Sequence, residues 1–292
     1  MIAIDLGSNT IRFVEYDGRK WGGSFEKIVK TAESLHETGR IAPNALKRVI
    51  SAIHEAKEKI DFSSQTVRAY ATAAMRMAAN ADEVLESIRN ETGIAFEVID
   101  GNREADLTLK AVRYRLQRLG KEPETFVMAD IGGGSTEIIV VRGEEADTLS
   151  LNRGIVTLYE SAEATGTLEA KIAEYEDLIR TSVSCPEPSL LVLTSGTPTT
   201  ISAYLLGMDY QTYDPARING YLLHPDDCLR TYHELLSMDE SMRVRYVGVG
   251  RERLIGAGIL MVTALFSALG FDEAVIVDDS LREGIALDYF DR

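Results

Sequence analysis

The chain has 292 residues, 45% of them hydrophobic and 26% charged, with a formal net charge of −15. That length suits two domains, and no apolar run reaches membrane-spanning length. The chain has no basic surplus to displace counterions along a phosphate backbone, which argues against general nucleic-acid binding. It does not exclude a phosphate ligand, because glycine loops, a few arginines and a bound cation can reverse the potential locally.

In chain order, Ile2-Ala3-Ile4 and Ile11-Arg12-Phe13-Val14 read as two strands around the tight polar turn Gly7-Ser8-Asn9-Thr10. No basic segment with an apolar stretch precedes them, so the cytoplasm is the expected location. Leu46, Val49, Ile50, Ile53 and Ala56 recur at helical spacing and predict an amphipathic helix from Pro43 to Ile60, with His54 beside its apolar face. Val67 to Ala71 reads as a strand leading into the helix-prone Ala73 to Ala79. Asn80 to Glu83 has the spacing of an N-cap opening a further helix. Phe96 to Ile99 is the next strand. Asp100-Gly101-Asn102 then turns into a helix with Ala105, Leu109, Val112 and Leu116 on one face and Glu104 in its first turn. The breaker-rich Gly120 to Glu124 marks a domain boundary.

The second half opens on the stretch that organises the chain. Between the apolar runs Phe126–Met128 and Ile138–Val141 lies Asp130-Ile131-Gly132-Gly133-Gly134-Ser135-Thr136-Glu137. Successive glycines let N–H groups approach an anion, and carboxylates beside such a cradle suit a bridging divalent cation. The plain alternative is a glycine turn with solvated acids. Asp5-Leu6-Gly7-Ser8-Asn9-Thr10 repeats the arrangement, and a duplicated domain is the economical explanation. Further on, Leu168–Thr181 and Asp226–Leu236 read as helices. Leu190–Leu193 is a strand ending at Thr194-Ser195-Gly196-Thr197, and a helix runs from Thr199 whose start is suited to an anion. Arg251–Leu269 predicts a long apolar helix, Ala274–Val277 the last strand and Ser280–Tyr289 the last helix. Asp278 and Asp279 read as turn and cap. His36, His224 and His233 have no partner at ligand spacing, and Cys185 and Cys228 lack CxxC spacing and read as inert.

Taken together, Asp5–Thr10, Ala71–Arg76, Gly101–Ala105, Asp130–Glu137, Gly196-Thr197 and Leu281-Arg282-Glu283-Gly284 stand in the order of the exopolyphosphatase and guanosine pentaphosphate phosphatase (Ppx/GppA) family. The chain resembles a short two-domain form of it over nearly its whole length. The resemblance implies an α/β, actin-like (ASKHA) fold of duplicated ribonuclease-H-like domains, 1–124 and 125–292, with an interdomain cleft and with the C-terminal helix a candidate to pack back on the first domain. It implies hydrolysis of a terminal phosphoanhydride in polyphosphate or guanosine pentaphosphate. Carried over by position, Glu104 is the base for the attacking water and Arg76 meets the substrate's phosphates. Asp130 and Glu137 hold Mg2+ or another divalent cation. Gly7, Ser8, Asn9, Thr10, Gly133, Gly134, Ser135, Gly196 and Thr197 cradle phosphate. Ser195 and Ser280 stand where the family pattern carries glycine, and the shortness of the chain favours shorter polyphosphates or a nucleotide.

On residues alone, Glu104 reads as a first-turn acid supporting its helix dipole, and Arg76 as a solvated helix position. An ATP-dependent kinase of the same fold and a non-hydrolysing polyphosphate or guanosine tetra- or pentaphosphate sensor are the competing functions; no GxxxxGK[ST] loop is present. Related proteins suggest a homodimer. Neither a membrane nor duplex nucleic acid is an expected partner.

Overall fold

The computed structural model describes residues 1–185 and 190–291. Its strands are β1 (Ile2–Leu6), β2 (Thr10–Tyr16), β3 (Trp21–Ile28), β4 (Val67–Ala71), β5 (Glu97–Val98), β6 (Thr125–Ile131), β7 (Thr136–Arg142), β8 (Glu145–Leu151), β9 (Leu191–Thr194), β10 (Leu222–Leu223) and β11 (Ala274–Ile276). The helices are α1 (Leu35–Thr38), α2 (Pro43–Lys59), α3 (Ala73–Met77), α4 (Ala81–Thr92), α5 (Gly101–Arg118), α6 (Ile155–Thr165), α7 (Leu168–Ser182), α8 (Gly196–Leu205), α9 (Pro215–Ile218), α10 (Pro225–Ser237), α11 (Glu240–Val247), α12 (Ile255–Leu269) and α13 (Leu281–Phe290). They form two compact units, Met1–Ala111 with Asp279–Arg292, and Val112–Asp278.

The first unit has one sheet in the order β3-β2-β1-β4-β5. Two antiparallel pairings, β3 with β2 and β2 with β1, are followed by two parallel ones, β1 with β4 and β4 with β5. The second unit repeats this as β8-β7-β6-β9-β11, with the same antiparallel and parallel succession, and adds β10 at the far edge. The fold is therefore α/β and actin-like, a ribonuclease-H-like sheet made twice.

Burial explains the strand sequences. All five residues of β1 are buried, as are the first six of β7, which fits strands covered on both faces. β3 and β8 are edge strands with mixed polar and apolar residues. Neither had a period strong enough to predict from sequence. In the first unit, α2 starts with Pro43 in its first turn and turns Ala45, Val49, Ile50, Ala52, Ile53 and Ala56 inward, while His54 is exposed. α13 packs on β1 and β2 and closes this unit's core. In the second unit α12 is buried over most of its length and packs on α7, α8 and α10.

Some local expectations need correction. Asn80 makes no N-cap bond to α4. Its side chain instead accepts from the Ile41 N–H (2.8 Å) and donates to the Ile41 carbonyl (3.1 Å), stitching two loops together. α8 begins at Gly196, earlier than Thr199. α12 begins at Ile255, later than Arg251, and the segment before it carries two positive-φ glycines, Gly248 (φ 86°) and Gly250 (φ 87°). The α13 cap falls on Ser280, whose N–H donates to Glu283 Oε2 at 2.9 Å, and not on Asp278 or Asp279. Asp278 accepts from the Tyr213 hydroxyl. Among the described residues no helix is long and apolar enough to cross a membrane.

Candidate active site

The two glycine turns are built alike. In the first, the Gly7 N–H donates to the Thr10 carbonyl at 2.9 Å; in the second, the Gly132 N–H donates to the Ser135 carbonyl at 2.9 Å. Each turn is also held from behind. The Ser8 and Asn9 carbonyls accept from Ala32 (2.8 Å), Val29 (2.8 Å) and Lys30 (2.9 Å), and the Gly132 and Gly133 carbonyls accept from Ile155 (3.0 Å) and Val156 (2.9 Å) at the start of α6. With the carbonyls engaged, the N–H groups of Ser8 and Asn9, and those of Gly133 and Gly134, donate to no protein acceptor among the described residues. Such a row of N–H groups favours an anion. A Cβ on Gly154 would sit 2.5 Å from the backbone of Gly133 and Gly134, so glycine is required where α6 meets this turn.

The duplicated turns differ in what faces the leading aspartate. Asp5 lies opposite Arg12 across β1 and β2, whereas Asp130 lies opposite Glu137 across β6 and β7. Glu137 is 3% exposed and accepts from Ser150 Oγ at 3.0 Å.

The third loop, at the start of α8, is a strained turn. Ser195 has φ 84° and ψ 175°, a region that normally belongs to glycine. Thr199 Oγ1 donates to the Ser195 carbonyl (2.9 Å) and Thr200 Oγ1 to the Gly196 carbonyl (2.6 Å), which holds the turn in shape. The Arg251 guanidinium lies over Gly196, 3.6 Å from where a Cβ would be, and Gly258 of α12 leaves the room that Thr197 fills.

In the first unit Asp100 Oδ1 accepts from the Arg103 N–H (2.8 Å) and opens α5, which puts Glu104 one step further along. Arg76 Nη1 donates to Glu104 Oε2 at 2.7 Å and to the Ile99 carbonyl at 2.9 Å. Neither is a solvated surface group: the side chains of Arg76 and Glu104 are 24% and 16% exposed respectively. The two residues that sequence analysis singled out separately form one ion pair.

A family model, the Ppx/GppA phosphatase family, matches residues 24–292. The chain belongs to this family. It is 29% identical to exopolyphosphatase 2 of Mycobacterium tuberculosis over 313 aligned positions, covering 98% of this chain and 97% of that one. It is 28% identical to the guanosine-5'-triphosphate,3'-diphosphate pyrophosphatase of Vibrio parahaemolyticus, covering 99% of this chain but 59% of that protein. The crystal structure of the Aquifex aeolicus Ppx/GppA family member superposes with a TM-score of 0.76 at 28% identity, covering 99% of this chain and 96% of that one.

Within this Ppx/GppA fold the donor set suits a hard divalent cation. Asp130 and Glu137 stand opposite each other on neighbouring strands and offer oxygen ligands. Among the described residues no group of three or more His, Cys, Asp or Glu side chains is placed to hold a metal ion. Further ligands would therefore come from water and phosphate oxygens, the habit of Mg2+.

Sequence analysis missed a charged group around Asp5. Burial pushes its carboxyl up to about 7, with Arg12 and Arg282 lowering it and Glu104 and Glu283 raising it. Glu283, 5% exposed, is raised by burial as well, although Arg282 Nε donates to it at 2.6 Å. A carboxyl with a raised folded value binds its proton more tightly in the folded state. Its stabilising contribution is therefore greatest in acid and is lost as pH rises through about 7. Asp5→Asn removes that dependence: its gain over the parent protein in chemical denaturation grows from nearly nothing at pH 4 to about 4 kcal/mol at pH 8. An equal difference at both pH values contradicts this account. No local spacing marks the group, whose members come from β1, β2, α5 and α13. Arg251 was missed for a related reason, since two glycine turns aim it at a loop far away in sequence.

Among the other reactive groups, burial pushes the Cys228 thiol up to about 12 and raises Cys185, which suits inert roles.

Proposed function

We propose that this protein hydrolyses a terminal phosphoanhydride of inorganic polyphosphate, of guanosine pentaphosphate, or of both, and releases orthophosphate. The observation that carries the proposal is the Asp130–Glu137 hairpin, where unclaimed N–H groups stand beside two facing carboxylates. The names of the relatives from M. tuberculosis and V. parahaemolyticus support these two substrate classes.

In this reading Gly7, Ser8, Asn9 and Thr10, with Gly133, Gly134 and Ser135, and with Gly196 and Thr197, supply donors to phosphate oxygens. Phosphoryl transfer needs the anion fixed in line and its charge stabilised, and prepositioned N–H donors do so without reorganising. The role proposed for Arg76 is to offer a guanidinium to phosphate. Mg2+ held by Asp130 and Glu137 supplies further neutralisation of the phosphate oxygens when bound. Glu104 orients the attacking water and accepts its proton, a task for a half-buried carboxylate that an arginine keeps in place.

The test is orthophosphate release with Mg2+, using polyphosphates of several lengths beside guanosine pentaphosphate and ATP. Release from polyphosphate or guanosine pentaphosphate, abolished by chelation, is the expected result. A ligand that raises thermal stability without being hydrolysed makes the protein a sensor instead. Transfer of phosphate from ATP to a small acceptor makes it a kinase.

A further inference from the structure

We infer that Ser195 is a positioning residue for the Asp130 carboxylate, holding it in place for a divalent cation through the peptide that follows it. The inference rests on the reading of Asp130 and Glu137 as cation ligands. β6 and β9 run parallel, and their register ends at Asp130 opposite Thr194. Along this ladder the Val127 N–H, which faces β9, donates to the Leu190 carbonyl at 2.9 Å. N–H direction alternates along a strand, so the Ile131 N–H faces the same side, one step beyond the last paired residue. There the neighbouring strand β9 has turned into α8, and the Ser195 hydroxyl accepts from the Ile131 N–H at 3.3 Å. The bond fastens the Asp130–Ile131 peptide, whose orientation fixes where the Asp130 side chain leaves the strand.

The cost of this bond is visible in the backbone. A side chain at φ 84° and ψ 175° costs about 1–3 kcal/mol relative to glycine. Stability alone would favour glycine, which adopts that conformation freely. Ser195 is 8% exposed, Thr199 anchors its carbonyl, and its hydroxyl reaches the strand end that carries Asp130. What the serine contributes is a tether between the third loop and a proposed ligand.

Ser195→Gly separates the two effects, because it relieves the strain and removes the tether. The expected result is an unchanged or higher Tm together with about tenfold weaker Mn2+ binding, the scale typical of lost outer-sphere support. Binding is followed by water-proton relaxation without substrate, so the readout does not depend on turnover. Ser195→Ala, which keeps the strain and loses the hydroxyl, is expected to weaken Mn2+ binding equally at a lower Tm than Ser195→Gly. Unchanged Mn2+ affinity in Ser195→Gly overturns the inference, and so does a weakening accompanied by a fall in its Tm, which marks a merely structural effect. Asp130→Asn serves as the control. If the parent protein binds Mn2+ and Asp130→Asn binds it equally well, the carboxylate reading itself fails; if Asp130→Asn loses binding while Ser195→Gly keeps it, only the role of Ser195 falls.

Discussion

Glu104→Gln is expected to lower turnover by roughly a hundred- to ten-thousand-fold, the range that general-base assistance supplies. The substitution is nearly isosteric. Its amide oxygen can still accept from Arg76 Nη1, now 2.7 Å from the carboxylate, and Arg76 keeps its bond to the Ile99 carbonyl. The local fold therefore survives, and the stability should fall only by the difference between an ion pair and a neutral hydrogen bond, about 1 kcal/mol. What disappears is the negative charge that takes the proton. KM, set by donors in the phosphate loops, should change little while kcat falls, the pattern of an interaction made at the transition state. Turnover equal to the parent would remove Glu104 from the role and leave it as an anchor for Arg76.

The second large effect falls on stability. Gly284→Ala places a Cβ 1.9 Å from the Leu107 carbonyl oxygen and 2.5 Å from its carbon. Both are backbone atoms of α5, so no side chain can swing aside, and α13 must move away from α5. We expect a loss of about 3 kcal/mol or more in denaturant unfolding, at or beyond the upper end for overpacking a core. Displacing α13 also disturbs Arg282 and Glu283, which belong to the charged group around Asp5, and Ser280, whose N–H donates to Glu283. Gly256→Ala in α12 is the contrasting case. Its Cβ would meet Leu236 and Tyr232 side chains at an ordinary 3.5 Å, and alanine is the better helix former by about 1 kcal/mol, so this variant should be neutral or more stable. Similar losses in the two variants would show that the close approach of α13 to α5 is not what limits the first unit.

The hairpin around Asp130 was legible because its signal is local: glycines between two apolar runs force a turn, and the Asp5 turn repeats it. α2 and α5 were legible for the same reason, their apolar residues recurring at helical spacing. Asn80 misled because cap spacing says nothing about a partner 39 positions away, and Ile41 offers its amide two bonds. Arg76 and Glu104 each looked like a surface residue at its own position, and their pairing depends on α3 and α5 meeting. The charge group at Asp5 was hidden further still, since its effect is set by burial that only α13 completes. Ser195 was visible as a departure from a family pattern. Its backbone strain and its bond to Ile131 belong to three dimensions.

The way the first unit is closed has a consequence for how the molecule is made. The second unit is one continuous stretch, whereas the first needs Asp279–Arg292 to cover β1 and β2. A ribosome delivers β1 first and α13 only after the whole of Val112–Asp278 has emerged. The first unit is therefore completed only after the second has emerged, and one face of β1 and β2 stays uncovered until α13 follows. Its closing contacts span most of the sequence, which makes them slow to form. A nascent chain stalled before residue 279 would hold a second unit able to fold and a first unit exposing apolar strands, a natural target for a chaperone.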